Sequence, residues 1–198
     1  MYKMKVIPFY SKNEYKEFSN LYRTSFTYQN IRFDSVEMFV MYAKACLFKD
    51  ESIKTQILET AKTNPYNTSV YKKLGRKVSN FDPKLWDDKA PLYFMVGMLL
   101  KFLNDSNVRK KLLATKDAWL CEANPYDTKY GIGLEPTHPL VPYPLKWKGS
   151  NLCGQYLMIV RFVLDPSCTY HDYIRNYDNS VIESWIEKLK TIKATALS

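Results

Sequence analysis

From Pro91 to Leu103 the chain is apolar on nearly every side of a helical wheel. A helix that is hydrophobic all round has to be enclosed, by lipid or by other parts of its own fold. The longest unbroken apolar run, Pro91 to Leu100, is about half of the roughly 20 residues that a bilayer span needs. The segment is therefore predicted to be the central buried helix of a soluble protein, and the rest of the chain has to supply what covers it.

The apolar periodicity supplies mostly helices. Val36, Phe39, Val40, Ala43 and Leu47 recur at three- and four-residue steps, with Asp34 as a fair N-cap and Glu37 three residues on. Further helices are predicted over about Ile53 to Lys62, Asn67 to Leu74 ending at Gly75, Val108 to Leu113, Leu152 to Val163 and Ser180 to Lys193. In the last of these Ile182, Trp185, Ile186, Leu189 and Ile192 make one stripe behind a Ser180–Glu183 capping box. Lys5 to Phe9 reads as a short strand, and Ser25 to Tyr28 with Ile31 to Phe33 as a hairpin about a Gln29-Asn30 turn that lacks glycine. Four prolines make residues 134–148 a loop. The expected fold class is mainly α (α+β), a compact single domain with a few short strands near the N-terminus.

At 198 residues, one core can bury roughly two-thirds to three-quarters of the unfolded surface without a disulfide framework or a metal. An apolar share of 46% with 15% aromatics excludes a disordered chain. Lys3, Lys5, Lys12, Glu14, Lys16 and Glu17 interrupt any apolar signal-peptide core. Cys46, Cys121, Cys153 and Cys168 are widely spaced, and His138 and His171 are the only histidines, which disfavours structural zinc. A cytoplasmic protein without metal or cofactor is expected. The net charge of +9 gathers at Lys72 to Lys77, Arg109 to Lys111 and Lys188 to Lys193. Such charge attracts phosphate, on a nucleotide or on nucleic acid, although no nucleic-acid motif accompanies it.

Chemistry concentrates in Glu122-Ala-Asn-Pro-Tyr-Asp127-Thr-Lys-Tyr130-Gly131-Ile-Gly133, followed by Gly149-Ser-Asn151-Leu-Cys-Gly154. Carboxylates are rarely buried unless paired or working, and neighbouring glycines let backbone approach a ligand, so the stretch reads as a pocket wall. Locally, a salt bridge for Glu122 and an Asx turn for Asp127 explain the same residues. Glu37, Met41 and Lys44 share one helical face, with Glu37 and Lys44 about 10 Å apart along the axis, a spacing that suits a ribose at one end and a phosphate at the other. A capping-box role is the competing explanation of Glu37. Trp86, Trp119 and Tyr130 are candidates to stack on a base, or core residues. Asn20 and Asn151 could orient a sugar, or cap a turn. No nucleophile elbow, phosphate-cradling loop or dinucleotide fingerprint is present.

In their order these segments resemble the NADAR (NAD- and ADP-ribose-associated), or YbiA-like, family over residues 8–162. The resemblance rests on Phe9-Tyr10, Phe18-Ser19-Asn20, Ser35-Val36-Glu37-Met38-Phe39 with Ala43-Lys44-Ala45, Leu74-Gly75-Arg76, Trp86, Lys101-Phe102, Leu112 to Thr115, Glu122 with Asp127 and Tyr130 to Gly133, then Asn151 to Gly154 and Leu157-Met158 with Arg161. It implies a single helical domain, and the proline-rich insert over 134–148 and a C-terminal helical extension over residues 165–198 exceed the family's minimal length. It also implies an N-glycosidase cleaving the bond between C1 of a phosphorylated ribose and a nitrogen. The substrates would be phosphoribosylamino-pyrimidines, or ADP-ribosylated targets such as guanine in DNA. The partner is then a phosphorylated ribosyl small molecule or an ADP-ribosylated macromolecule, with nucleic-acid contact in the second case and no membrane.

By this analogy Glu37 sits at the ribose, Asp127 activates water and Glu122 either binds ribose or supports the site from behind, a division in which Glu37 and Asp127 are interchangeable. Lys44, Arg23 and Arg76 are the phosphate candidates, Trp86 and Tyr130 the base platforms, and Asn20, Gly131, Gly133 and Asn151 complete the substrate contacts. Two positions depart from the family pattern: Tyr130 replaces its tryptophan, and Met38 its histidine. A module that binds ADP-ribose or a related nucleotide without cleaving it is the alternative reading.

Overall fold

A computed structural model describes residues 5–10, 12–64, 67–170, 174 and 176–197. Among them run β1 (Val6–Phe9), β2 (Phe26–Tyr28), β3 (Ile31–Phe33), α1 (Val36–Leu47), α2 (Glu51–Thr63), α3 (Ser69–Gly75), α4 (Pro83–Asn104), α5 (Ser106–Leu113), β4 (Trp119–Glu122), α6 (Leu152–Leu164) and α7 (Asn179–Leu197). The fold is mainly α with short strands, as the patterning requires. The chain resolves into two units, Met1–Ser19 with Ser106–Ser198, and Asn20–Asp105.

In the Asn20–Asp105 unit, α1 packs on α2, α3 and α4. The antiparallel hairpin of β2 and β3 turns through Gln29 and Asn30 at φ 48° and 62°. Both central residues are thus left-handed, which is the twist a two-residue hairpin favours even without glycine. Phe33 meets Phe26 and Phe39 with ring centres 5.8 and 5.1 Å apart, each pair adding about 0.5–1.5 kcal/mol beyond its buried area. The α4 helix begins earlier than its apolar pattern suggests. Asp82 caps it through Lys84 and Leu85 N–H, Pro83 fills the first turn, and Pro91 lies inside. A proline in that position removes one backbone donor from the helix, and burial of Phe94, Met95, Met98, Leu99 and Phe102 holds the helix despite it. Asp50 closes the α1–α2 turn: its carboxylate accepts the Ile53 N–H and both the N–H and hydroxyl of Ser79.

In the other unit β1 and β4 form a two-stranded parallel pair, Val6 opposite Trp119 and Phe9 opposite Glu122. The periodicity foresees β1 but no strand at β4. Trp119, a stacking candidate in the sequence, is a core residue 6% exposed and lies edge-on to Trp147 at 5.9 Å. The α6 helix packs on β4 and α7 on α6. Gly154 permits the first contact, because a Cβ there would collide with the Leu120 carbonyl of β4. Lys193 caps α6 by donating to the Val163 and Leu164 carbonyls, and Lys111 pairs with Glu17 at 2.8 Å, so parts of the basic clusters serve the fold.

Candidate functional site

The start of α1 sets the first group of candidate residues. Ser35, not Asp34, is the N-cap: its Oγ accepts the Met38 N–H at 3.1 Å. Asp34 sits one position outside the helix and accepts the hydroxyls of Ser35 at 2.9 Å and Tyr71 at 2.5 Å. Burial, and then that bond to Asp34, push the Tyr71 phenol well above its ordinary value. Counting from Ser35, Glu37 is the second helical residue, whereas a capping box uses the third. The expected Asp34–Glu37 box is therefore not the arrangement found. Glu37 is 7% exposed, and its N–H bonds the carbonyl of Asn20, itself a buried residue.

Two turns along α1, Lys44 donates to the Gly75 carbonyl at 2.9 Å. Its ammonium lies 4.0 Å from the centre of the Phe81 ring and 5.3 Å from that of Trp86. Burial lowers the lysine below its ordinary value. Between Glu37 and Lys44, Met41 seats on Gly75, where a Cβ would come within 2.9 Å of its Cγ. Lys44, Trp86 and the Gly75-Arg76 corner, three separate segments in the sequence, thus meet, with Arg76 exposed at the end of α3. Phe81 is the member that sequence reasoning missed. It is a lone, 42% exposed aromatic with no periodic partner, and only the return of the α3–α4 connection brings it over Lys44. Arg23 lines a cleft with Asp34, Met38 and Lys62, and Glu37, Lys44, Arg76 and Trp86 are not part of that lining.

The second group lies on the connection from β4 to α6. Asp127 forms the Asx turn, its Oδ1 accepting from the N–H groups of Lys129 at 3.1 Å, Tyr130 at 2.8 Å and Gly131 at 3.5 Å. Two backbone bonds, from Ile132 N–H to the Glu122 carbonyl and from Gly133 N–H to the Asp127 carbonyl, close the loop at 2.9 and 3.1 Å. Gly133 has φ +68°, a left-handed conformation that disfavours any side chain. Gly131 and Gly133 are buried against neighbouring chain, so these glycines answer a packing demand. Asn151, left-handed at φ 55° and 2% exposed, spends its amide on β4: Oδ1 accepts the Glu122 N–H and Nδ2 donates to the Leu120 carbonyl, each at 3.0 Å. It frames the loop. Tyr130 is half-buried, with the Lys129 ammonium 5.8 Å from its ring centre.

His138 accepts the Leu140 N–H on Nδ1, and His171 lies outside the described residues. Among the described residues no group of three or more His, Cys, Asp or Glu could hold a metal ion, and no helix is long and apolar enough to cross a membrane.

The chain is similar to known proteins in family and in fold. Residues 8–165 match the NADAR domain. The chain is 36% identical over 127 residues to "N-glycosidase R617" of Acanthamoeba polyphaga mimivirus, covering 64% of this chain and 72% of that protein. It is 35% identical over 133 residues to "Protein irg-1" of Caenorhabditis elegans, covering 66% of this chain and 60% of that one. The NMR structure of the E. coli protein YbiA superposes with a TM-score of 0.65 over 90% of this chain and 94% of that one, at 23% identity, a likeness of fold.

Proposed function

This chain belongs to the NADAR domain family, and from that premise we propose that it is an N-glycosidase, hydrolysing the bond between ribose C1 and a nitrogen in an ADP-ribosyl or phosphoribosyl substrate. The observation that carries the reading is the face of α1, where an enclosed carboxylate, Glu37, precedes by two turns a lysine held against two aromatic rings. The name of the mimivirus relative supports the same reaction class.

The chemistry follows from the bond to be broken. As the C1–N bond lengthens, positive charge collects on C1 and the ring oxygen, and a carboxylate beside the sugar lowers the barrier as it does in glycosidases. We assign that carboxylate to Glu37, which the Ser35 cap leaves outside the capping box. Water adds its oxygen to C1, the nitrogen leaves carrying a proton, and a free phosphorylated ribose or ADP-ribose remains. Lys44 is assigned to phosphate, as an ammonium donor to its oxygens. Trp86 is assigned to the planar leaving group. Asp127, whose Oδ1 accepts three backbone N–H groups, is assigned to shaping the Tyr130–Gly131 backbone, and Glu122 to supporting the same loop.

The test is mass spectrometry of purified protein incubated with ADP-ribosylated DNA, ADP-ribosylated protein, NAD and a phosphoribosylamino-pyrimidine. Release of a ribose phosphate or ADP-ribose from one of them establishes the reaction and names the leaving group. Saturable ADP-ribose binding with no release from any of them replaces the glycosidase with a nucleotide reader.

A further inference from the structure

The cleft on which Arg23 lies belongs to no step of this chemistry. It has a volume of about 520 Å³ and is walled by the β2–β3 hairpin, the start of α1 and the later turns of α2. Three cations, Arg23, Arg32 and Lys62, stand against one carboxylate, Asp34, so its lining carries a net positive charge. Asp34 is engaged by the Ser35 and Tyr71 hydroxyls, which fixes the carboxylate on the protein side of the cleft. Arg32 is exposed and gives its Nε–H to Ser25 Oγ at 2.8 Å, which aims a guanidinium whose further N–H groups suit a phosphate fork. Beneath these charges the lining is apolar, from the half-buried Ile31, Leu58 and Ala61 over the fully buried Met38, and Asn30 at the left-handed hairpin turn adds an amide.

An apolar floor under a cationic rim does not describe a site for a bare anion. It also differs from a flat basic surface, which would attract a polyanion without enclosing it. Pockets of this kind take a ligand whose body is buried and whose few polar groups are fixed at the edge. We propose that this cleft is a second ligand site, distinct from the Glu37–Lys44 face, which takes a phosphorylated nucleoside with its base over Ile31, Leu58 and Ala61 and its phosphate between Arg32 and Lys62. The inference does not depend on the glycosidase assignment.

The experiment is a backbone-amide NMR titration of the full chain with AMP, with adenosine and inorganic phosphate as separate arms and a short duplex DNA as a third. AMP is expected to shift the amides of Asn30, Ile31, Ala61 and Lys62 saturably. The paired variant Arg32→Gln and Lys62→Gln should raise the apparent Kd at those amides at least about tenfold, as expected for lost charge-assisted bonds. Product release in the mass-spectrometric assay should be unchanged by that variant, since both residues are exposed and neither belongs to the Glu37–Lys44 face. Absence of a saturable shift at the cleft overturns the proposal, as does an AMP response that the paired variant leaves intact. Adenosine binding as tightly as AMP overturns the phosphate contact. Inorganic phosphate saturating the same amides as tightly as AMP overturns the apolar subsite, and a response to DNA but not to AMP makes the cleft a polyanion surface.

Discussion

Asn151 completes the edge of β4 by holding the backbone of Glu122: its side-chain oxygen accepts the Glu122 N–H at 3.0 Å while its nitrogen donates to Leu120. A single amide thereby does for the strand edge what a further strand would do, and it fixes the start of the loop that carries Asp127 and Tyr130. Replacing it by alanine leaves a buried donor and acceptor unmatched, at about 1–3 kcal/mol each. Asn151→Ala is therefore expected to lose about 3 kcal/mol in urea denaturation. An unchanged midpoint would show that the amide is dispensable.

Asp127 separates a structural from a chemical carboxylate. Asparagine accepts the same Asx-turn bonds as aspartate. Asp127→Asn should therefore keep both the melting temperature and kcat within a few-fold of the parent, whereas Asp127→Ala should loosen the loop and raise KM. A loss in kcat of about 100-fold or more in Asp127→Asn, at unchanged melting temperature, would return the water-activating role to Asp127.

The α1–α2 turn gives a pH dependence. Hydrogen bonds from Ile53 N–H, then from the N–H and hydroxyl of Ser79, hold Asp50 below its ordinary value. Its folded value thus lies under the unfolded one, near about 3.9. The stabilisation is present above that pH and is lost as pH falls through the folded value, because the unfolded chain then binds the proton more readily. Asp50→Asn should flatten the acid limb of melting temperature against pH, below about pH 4. An acid limb as steep as the parent's would remove Asp50 from the account.

Burial holds Lys44 below its ordinary value, while the Gly75 carbonyl and the rings of Phe81 and Trp86 support its charge. Lys44→Met keeps the stem's packing and drops the charge. Losing the bond to the Gly75 carbonyl should lower its melting temperature by no more than about 8 °C, while kcat/KM on the phosphorylated substrate should fall at least about tenfold, the scale of one charged hydrogen bond. Equal kcat/KM in the two proteins would exclude a phosphate contact.

How much of this was legible in the sequence depends on whether a feature is local. The α1 stripe of Val36, Phe39 and Val40 is written in one segment, and the helix forms where that stripe lies. Asp82-Pro83 is an equally local start signal for α4, but Pro91 at the head of the apolar run hid it. The β4 strand could not be read at all. Trp119 to Glu122 is short and without alternation, and its parallel partner is β1, at the far end of the chain. Among the candidate residues, local chemistry anticipated the Asx turn of Asp127. It did not anticipate that Phe81 would reach Lys44, or that Arg23 would line a cleft whose lining lacks Glu37. Those are tertiary facts, set by how the α3–α4 connection and the β2–β3 hairpin return to α1.

Everything in the functional account turns on Glu37. The decisive measurement is the rate of ribose phosphate or ADP-ribose release by Glu37→Gln, followed by mass spectrometry beside calorimetric titration with ADP-ribose. The account predicts a loss in rate of about 100-fold or more with binding and melting temperature retained. A rate near that of the parent protein would contradict it.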